Sequence, residues 1–123
     1  MNTVNYMTHN AIDVVKHESD YAEVQVVLTD QSMNQLGYVH GGLYFSLADT
    51  AAGAASWSNG AVYVTLNATI DIMIPVQTGT LTAKATAISR SGKICVVNVG
   101  IYDDNDTLVN QGTYTMYMVQ EAK

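Results

Sequence analysis

A chain of 123 residues, 48% of them hydrophobic, is long enough to bury a core and too apolar to stay disordered. Its formal net charge is -6, and its five Lys and Arg are too few for the basic stripe that a nucleic-acid partner needs. No apolar run approaching about 18 residues is free of charge, so no membrane span is expected.

The polar stretch 1–10 has neither the basic nor the apolar region of a signal peptide and reads as a loose arm with a short helical turn. The segment Ala11 to Lys16 is a candidate strand. Tyr21 to Thr29 is a clearer one, with Ala22, Val24, Val26 and Leu28 alternating with their neighbours. A loop from Asp30 to His40 leads into a long helix. This helix opens at Gly41-Gly42, runs to about Ser58 and stops at Asn59-Gly60. It is apolar nearly all round and crowded with Ala48, Ala51, Ala52, Gly53, Ala54 and Ala55, so a sheet is expected to press close against it. Four β-rich runs follow: Val62 to Ile74, Leu81 to Ser89, Ile94 to Tyr102 and Thr107 to Val119. Pro75 and Gly79 mark the first connection, Arg90-Ser91-Gly92-Lys93 a hairpin, and Asp103 to Asp106 a polar turn. One long helix early and antiparallel strands after it predict a single α+β domain over residues 1–123. The lone Cys95, inside Ile94-Cys95-Val96-Val97, reads as an inert buried thiol. With the absent leader pattern, it fits a cytoplasmic protein.

Most candidate motifs have dull explanations. Asp103 to Asp106 lacks the glycine and distal glutamate of a calcium loop. His9, His17 and His40 have no metal-ligand spacing, and no metal or other cofactor is expected. No G-x-S-x-G signals a serine nucleophile. Tyr38, Tyr44 and Tyr63 lie close in sequence to the helix start and its carboxylate and could line an acyl or aromatic pocket or simply fill the core. Arg90 and Lys93 read equally well as a solubilising turn or as a phosphate contact at the mouth of a site. Asp49 stands apart. A carboxylate amid Leu47, Ala48, Ala51 and Ala52 is costly unless paired or used. His40-Gly41-Gly42 places free backbone N–H groups at the positive end of a helix, which suits a developing oxyanion.

Asn34, Gly37, His40, Gly41 and Gly42, with Asp49 seven residues after Gly42, resemble the motif of the hotdog-fold acyl-CoA thioesterases of the phenylacetate-pathway (PaaI) type. The order of elements agrees from about Tyr21 to Met118, and Thr69 to Gly79 looks like the family's long strand. The resemblance implies a hotdog fold, one central helix wrapped by a curved antiparallel sheet. It implies hydrolysis of a small aromatic or medium-chain acyl-CoA, with coenzyme A present only as part of the substrate. Asp49 would be nucleophile or general base, the Gly41 N–H would polarise the carbonyl, and Asn34 would orient water or carbonyl. Thr65 would hold the water, and His40 and Gly42 would shape the loop against substrate. Arg90, Ser91, Gly92 and Lys93 would meet the nucleotide of coenzyme A.

Helix geometry adds a constraint. Gly42 and Asp49 lie about 10 Å apart along one helix, too far to serve one carbonyl. Antiparallel helices of two chains would bring Gly41 of one to Asp49 of the other. A dimer with shared sites is therefore expected, and the resemblance implies dimers paired into tetramers. Two other readings remain: a dehydratase or hydratase using His40 and Asp49 as an acid–base pair, and a non-catalytic acyl-CoA-binding module.

Overall fold

A computed structural model describes residues 5–123. Helix α1 (Tyr6–His9) precedes strands β1 (Ile12–Glu18) and β2 (Tyr21–Val27). A 3-10 turn (Asp30–Ser32) leads to α2 (Gly41–Ser56), and a second one (Trp57–Asn59) leaves it. Strands β3 (Val62–Ile72), β4 (Thr80–Ser91), β5 (Ile94–Tyr102) and β6 (Leu108–Gln120) complete the chain. All six strands form one antiparallel sheet in the order β1-β2-β4-β5-β6-β3, with β1 and β3 at its edges. This is the α+β arrangement expected from the sequence, to within two residues at most boundaries. The helix ends two residues before Ser58 because Trp57 tightens into the 3-10 turn, and Gly60 takes the left-handed conformation (φ 88°) that closes it.

The sheet packs on one side of α2 only. Leu47, Ala48, Ala51, Ala52 and Ala55 are buried against the alternate residues Ala22 and Val24 of β2, Ala83 and Ala85 of β4, and Val97 of β5. Alanine on both surfaces lets helix and sheet approach closely. Cys95 belongs to this core, as its setting indicated. The expectation of a helix buried all round is corrected on the opposite side. Phe45 and Trp57 are 40% and 44% exposed, and Asp49, Thr50 and Gly53 between them are only half-buried. Within one chain a single sheet cannot cover both sides of a helix. Among the described residues no helix is long and apolar enough to cross a membrane.

Strands β1, β3 and β4 each carry one unpaired extra residue, and β6 skips Val119 opposite β3 and Val109 opposite β5. Val15 in β1, Leu66 in β3 and Ile88 in β4 have no partner in the register, and all three are exposed. A strand alternates its side chains with period two, so one extra residue reverses which parity faces the core. Beside each bulge a polar side chain turns toward α2 or its end. His17 Nε2 lies 2.7 Å from the Ala54 carbonyl of α2. Thr65, just before Leu66, donates to Asp49, while Ala68 and Ile70 beyond the bulge pack on the core.

Arg90 follows Ile88 and is a correction to the expected nucleotide contact. Arg90 and Ser91 belong to β4, and only Gly92 and Lys93 form the turn. The guanidinium points inward. Nε donates to Asp20 (2.9 Å), Nη1 to the Ser56 carbonyl (3.0 Å) and the Tyr63 hydroxyl (3.3 Å), and Nη2 to the Ala55 carbonyl (3.2 Å) and Ser58 (3.3 Å). Each of its five N–H donors is committed, two of them to carbonyls that end α2. Burial works against its charge, yet the bond to Asp20 and the neighbouring charges and hydroxyl outweigh it and raise its pKa. Arg90→Ala is expected to cost about 2 kcal/mol in urea unfolding, because buried carbonyls lose their donor. Lys93→Ala, at the exposed turn, is expected to change stability by less than about 0.5 kcal/mol.

Candidate active site

The loop before α2 is held by Asn34. Its Oδ1 accepts from the N–H groups of Leu36 (2.9 Å) and Tyr38 (3.1 Å), its N–H donates to the Tyr38 carbonyl (2.7 Å), and its own carbonyl accepts from Gly37. Gly37 sits at φ 82°, a conformation that a side chain would strain. With Oδ1 used by the loop, Asn34 has only its Nδ2 donors left. It can donate to a carbonyl oxygen and has no acceptor to spare for a water.

His40 caps the helix. Its Nδ1 accepts from the Gly42 N–H at 2.8 Å, and its carbonyl accepts from Leu43. Gly42 is thereby committed to the cap, and a Cβ there would come within 3.0 Å of His40 Nδ1. The Gly41 N–H has no acceptor among the described residues. It opens, with Asn34, into a hollow of about 340 Å³ lined also by Tyr38, Tyr44, Ile72 and Pro75. Burial pushes up the pKa of the Tyr44 phenol against a weaker lowering contact from the Val76 backbone, so it is present there as a neutral hydroxyl.

Asp49 lies elsewhere. Thr65 Oγ1 donates to its Oδ1 at 2.5 Å and rests 3.6 Å from Met116 Sδ. The pair opens into a second hollow of about 810 Å³, walled by Gly53 and Ala54 of α2, Trp57 of the turn that leaves it, Tyr63 and Val64 of β3, and Val14 and His17 of β1. The expected residues thus form two clusters in one chain: donors at Asn34 and Gly41, and a carboxylate with its hydroxyl at Asp49 and Thr65. Eight residues of helix, about 12 Å, separate Gly41 from Asp49. Tyr63, expected near the site, lines the second hollow while its hydroxyl accepts from Asn59 and Arg90. Ser91, Gly92 and Lys93 are exposed at the turn, and Lys93 is the cation there that Arg90's inward rotation leaves to solvent. Among the described residues no three His, Cys, Asp or Glu side chains gather as a metal site would need.

The apolar wall was not legible beforehand. Phe45, Asp49, Gly53 and Trp57 share one face of α2 at four-residue spacing, a signal that the uniformly apolar sequence masked.

Residues 36–110 match the Thioesterase superfamily. The chain belongs to this superfamily. Among its relatives is the acyl-coenzyme A thioesterase PaaI of Escherichia coli, 38% identical over 106 residues that make up 85% of this chain and 71% of that protein. The solved PaaI structure superposes with a TM-score of 0.89 at 28% identity, covering 94% of this chain and 85% of that one. The hotdog fold and the PaaI type inferred from the motif are thereby established for this thioesterase. A Streptococcus mutans protein solved with acetyl CoA superposes at TM-score 0.87 and 26% identity, covering 100% of this chain and 96% of its own. A hypothetical thioesterase of Streptococcus pneumoniae solved with coenzyme A does so at 0.86 and 26%, covering 91% of each chain. That Streptococcus pneumoniae protein has also been solved with an aspartate and, separately, a threonine changed to alanine, the two positions 16 apart. Asp49 and Thr65 are likewise 16 apart.

The geometry of Asn34 separates loop-holding from donation. Asn34→Asp keeps the acceptor for Leu36 and Tyr38 but removes the Nδ2 donor and adds a charge. It is expected to retain the fold by circular dichroism and to lose thioester hydrolysis by about 10²-fold, as loss of one oxyanion donor does.

Proposed function

We propose that this thioesterase hydrolyses the thioester of a small aromatic or medium-chain acyl-CoA to the free acid and coenzyme A, with each active site built from two chains. The observation that carries it is the separation of the two clusters: each has half of what the reaction needs, and neither is complete alone.

In this reading the Gly41 N–H and Asn34 Nδ2 donate to the carbonyl oxygen and stabilise the charge that grows on it. Asp49 of the second chain, held through Oδ1 by Thr65, acts with its other oxygen as base or nucleophile. By the base route, water oxygen bonds to the carbonyl carbon while its proton passes to Asp49. The carbon–sulfur bond then breaks, and the thiolate takes that proton as free acid and coenzyme A depart. No further cofactor is required. The aromatic and aliphatic walls of the two hollows suit an acyl group without charge. The solved complexes of relatives with acetyl CoA and coenzyme A support this ligand class. Lys93 is the cation assigned to the nucleotide phosphates, and Arg90 is withdrawn from that role.

A second copy is also suggested by what one chain leaves open. β3 is an edge strand with Val64 and Leu66 49% and 62% exposed, beside the uncovered stripe of α2. Such an edge invites pairing, and a two-fold partner would cover both features. Pairing of dimers into tetramers completes the reading. The dehydratase alternative is weakened by His40, whose Nδ1 is tied to the Gly42 N–H and whose position is with Gly41, away from Asp49.

Three measurements test the proposal. Asp49→Asn is expected to fold and to lose kcat by about 10²-fold or more in a free-thiol assay on an acyl-CoA panel. Near-wild-type hydrolysis would exclude Asp49. Co-expressed Asn34→Asp and Asp49→Asn chains pair at random, and one site in each mixed dimer is then whole. About a quarter of wild-type activity per site should return. Purified mixed dimers as inactive as their parents would place the site within one chain. Lys93→Ala is expected to raise KM for CoA esters by several-fold and leave pantetheine esters unaffected.

A further inference from the structure

Gly53 lies inside α2, among Ala51, Ala52, Ala54 and Ala55. A glycine within a helix lowers its stability relative to alanine, so something must favour its presence. The backbone does not, since Gly53 is helical and has no positive φ. Packing within the chain does not either: a Cβ built at Gly53 meets no atom within 4 Å. A glycine that packing requires looks different. At Gly112 a Cβ would lie 2.8 Å from both the Ile70 side chain and the Thr69 carbonyl. Gly53 is bare toward open space, and that space is the hollow in front of Asp49.

The hollow suits an uncharged group. Gly53 lies four residues, about 6 Å of helix, beyond Asp49, and Trp57 about as far again. Met7, Val14, Val64 and Met116 complete its apolar wall. Its titratable side chains besides Asp49 are engaged, His17 with the Ala54 carbonyl and Tyr63 with Asn59 and Arg90. No Lys or Arg lines it to meet a phosphate. A thioester whose carbonyl stands at Asp49 has two arms, and only the acyl arm matches this wall. The helix of a second chain does not explain Gly53. Antiparallel helices that bring Gly41 of one chain to Asp49 of the other overlap only as far as Asp49, because Gly41 is the first residue of α2. Gly53 is one turn past that overlap and has no helix opposite it.

We infer that Gly53 is a specificity-determining residue: its missing side chain leaves the room along α2, between Asp49 and Trp57, in which the acyl group of the thioester lies. This rests on the role proposed for Asp49 and on the shared site. An acyl group that extends past its first carbons crosses Gly53 and ends against the Trp57 ring. A side chain at Gly53 would divide that room in the middle. An acetyl group stops short of it, whereas a medium chain or a phenyl ring does not.

The test is Gly53→Leu, which fills the space with a good helix former, beside Gly53→Ala, which fills it in part. Both are expected to keep the wild-type oligomeric state in size exclusion, and Gly53→Ala to melt about 3 °C higher. In the free-thiol assay, the ratio of kcat/KM for hexanoyl-CoA to that for acetyl-CoA should fall about 10²-fold in Gly53→Leu and several-fold in Gly53→Ala. Gly53→Ala reads the same ratio where leucine disturbs the fold. Trp57 is the chain's one tryptophan, so its emission reports on the hollow without turnover. A thioether analogue of hexanoyl-CoA, which cannot be hydrolysed, should shift that emission in the wild type and leave it unmoved in Gly53→Leu. An unchanged ratio overturns the inference, as does an equal loss on both esters. Dissociation of both variants overturns it too, since Gly53 would then serve the second chain. If the ratio shifts while Asp49→Asn still hydrolyses thioesters at the wild-type rate, the acyl subsite stands and the catalytic reading of Asp49 is what fails.

Discussion

Everything about this site follows from how α2 is covered. Its alanines press against the alanines and valines of β2, β4 and β5. A residue with a polar side chain must therefore face away from the middle of the sheet. Asp49 is on that far side, and so are the stripe residues from Phe45 to Trp57. The close contact fixes the rotation of the helix about its own axis. It thereby fixes the direction of the carboxylate to better than any loop could.

On the proposed reading, the same packing leaves one chain an incomplete enzyme. The helix start points its free N–H at a hollow shaped by the 34–40 loop and the end of β3, while the carboxylate faces another hollow further along the helix. A rigid helix cannot bend one toward the other. The loop residues are already spent on rigidity: Asn34 Oδ1 on the turn and His40 Nδ1 on the cap. What remains for chemistry is small and well defined, namely one amide N–H, one side-chain amide and one carboxylate.

The fold was largely legible because its signals are local. Alternation in β2, β4, β5 and β6, glycines at the helix start and Asn59-Gly60 at its end each report on a few neighbouring residues. The motif from Asn34 to Asp49 was legible for the same reason. Arg90 was not. Its sequence surroundings describe a charged hairpin, and its real partners, Asp20, Ala55, Ser56 and Ser58, come from distant parts of the chain. Tyr114 was visible only as one residue of an alternating strand face, since its ring partner Phe45 is brought to it by tertiary packing. The two-sided character of α2 was hidden because a helix rich in alanine looks apolar from every direction.

The bulges at Val15, Leu66 and Ile88 separate two properties that a sequence usually keeps together. None of the three side chains is needed for what its position accomplishes, since all of them point to solvent. What matters is how the backbone takes them up: each bulge turns two successive residues outward, so that the inward alternation resumes beyond it, as from Thr65 to Ala68. Such a position is open to exchange and to deletion alike. With Leu66 removed, Thr65 and Asn67 would still meet the adjacent Met116 and Thr115 in unbroken register, and Thr65 would still face α2.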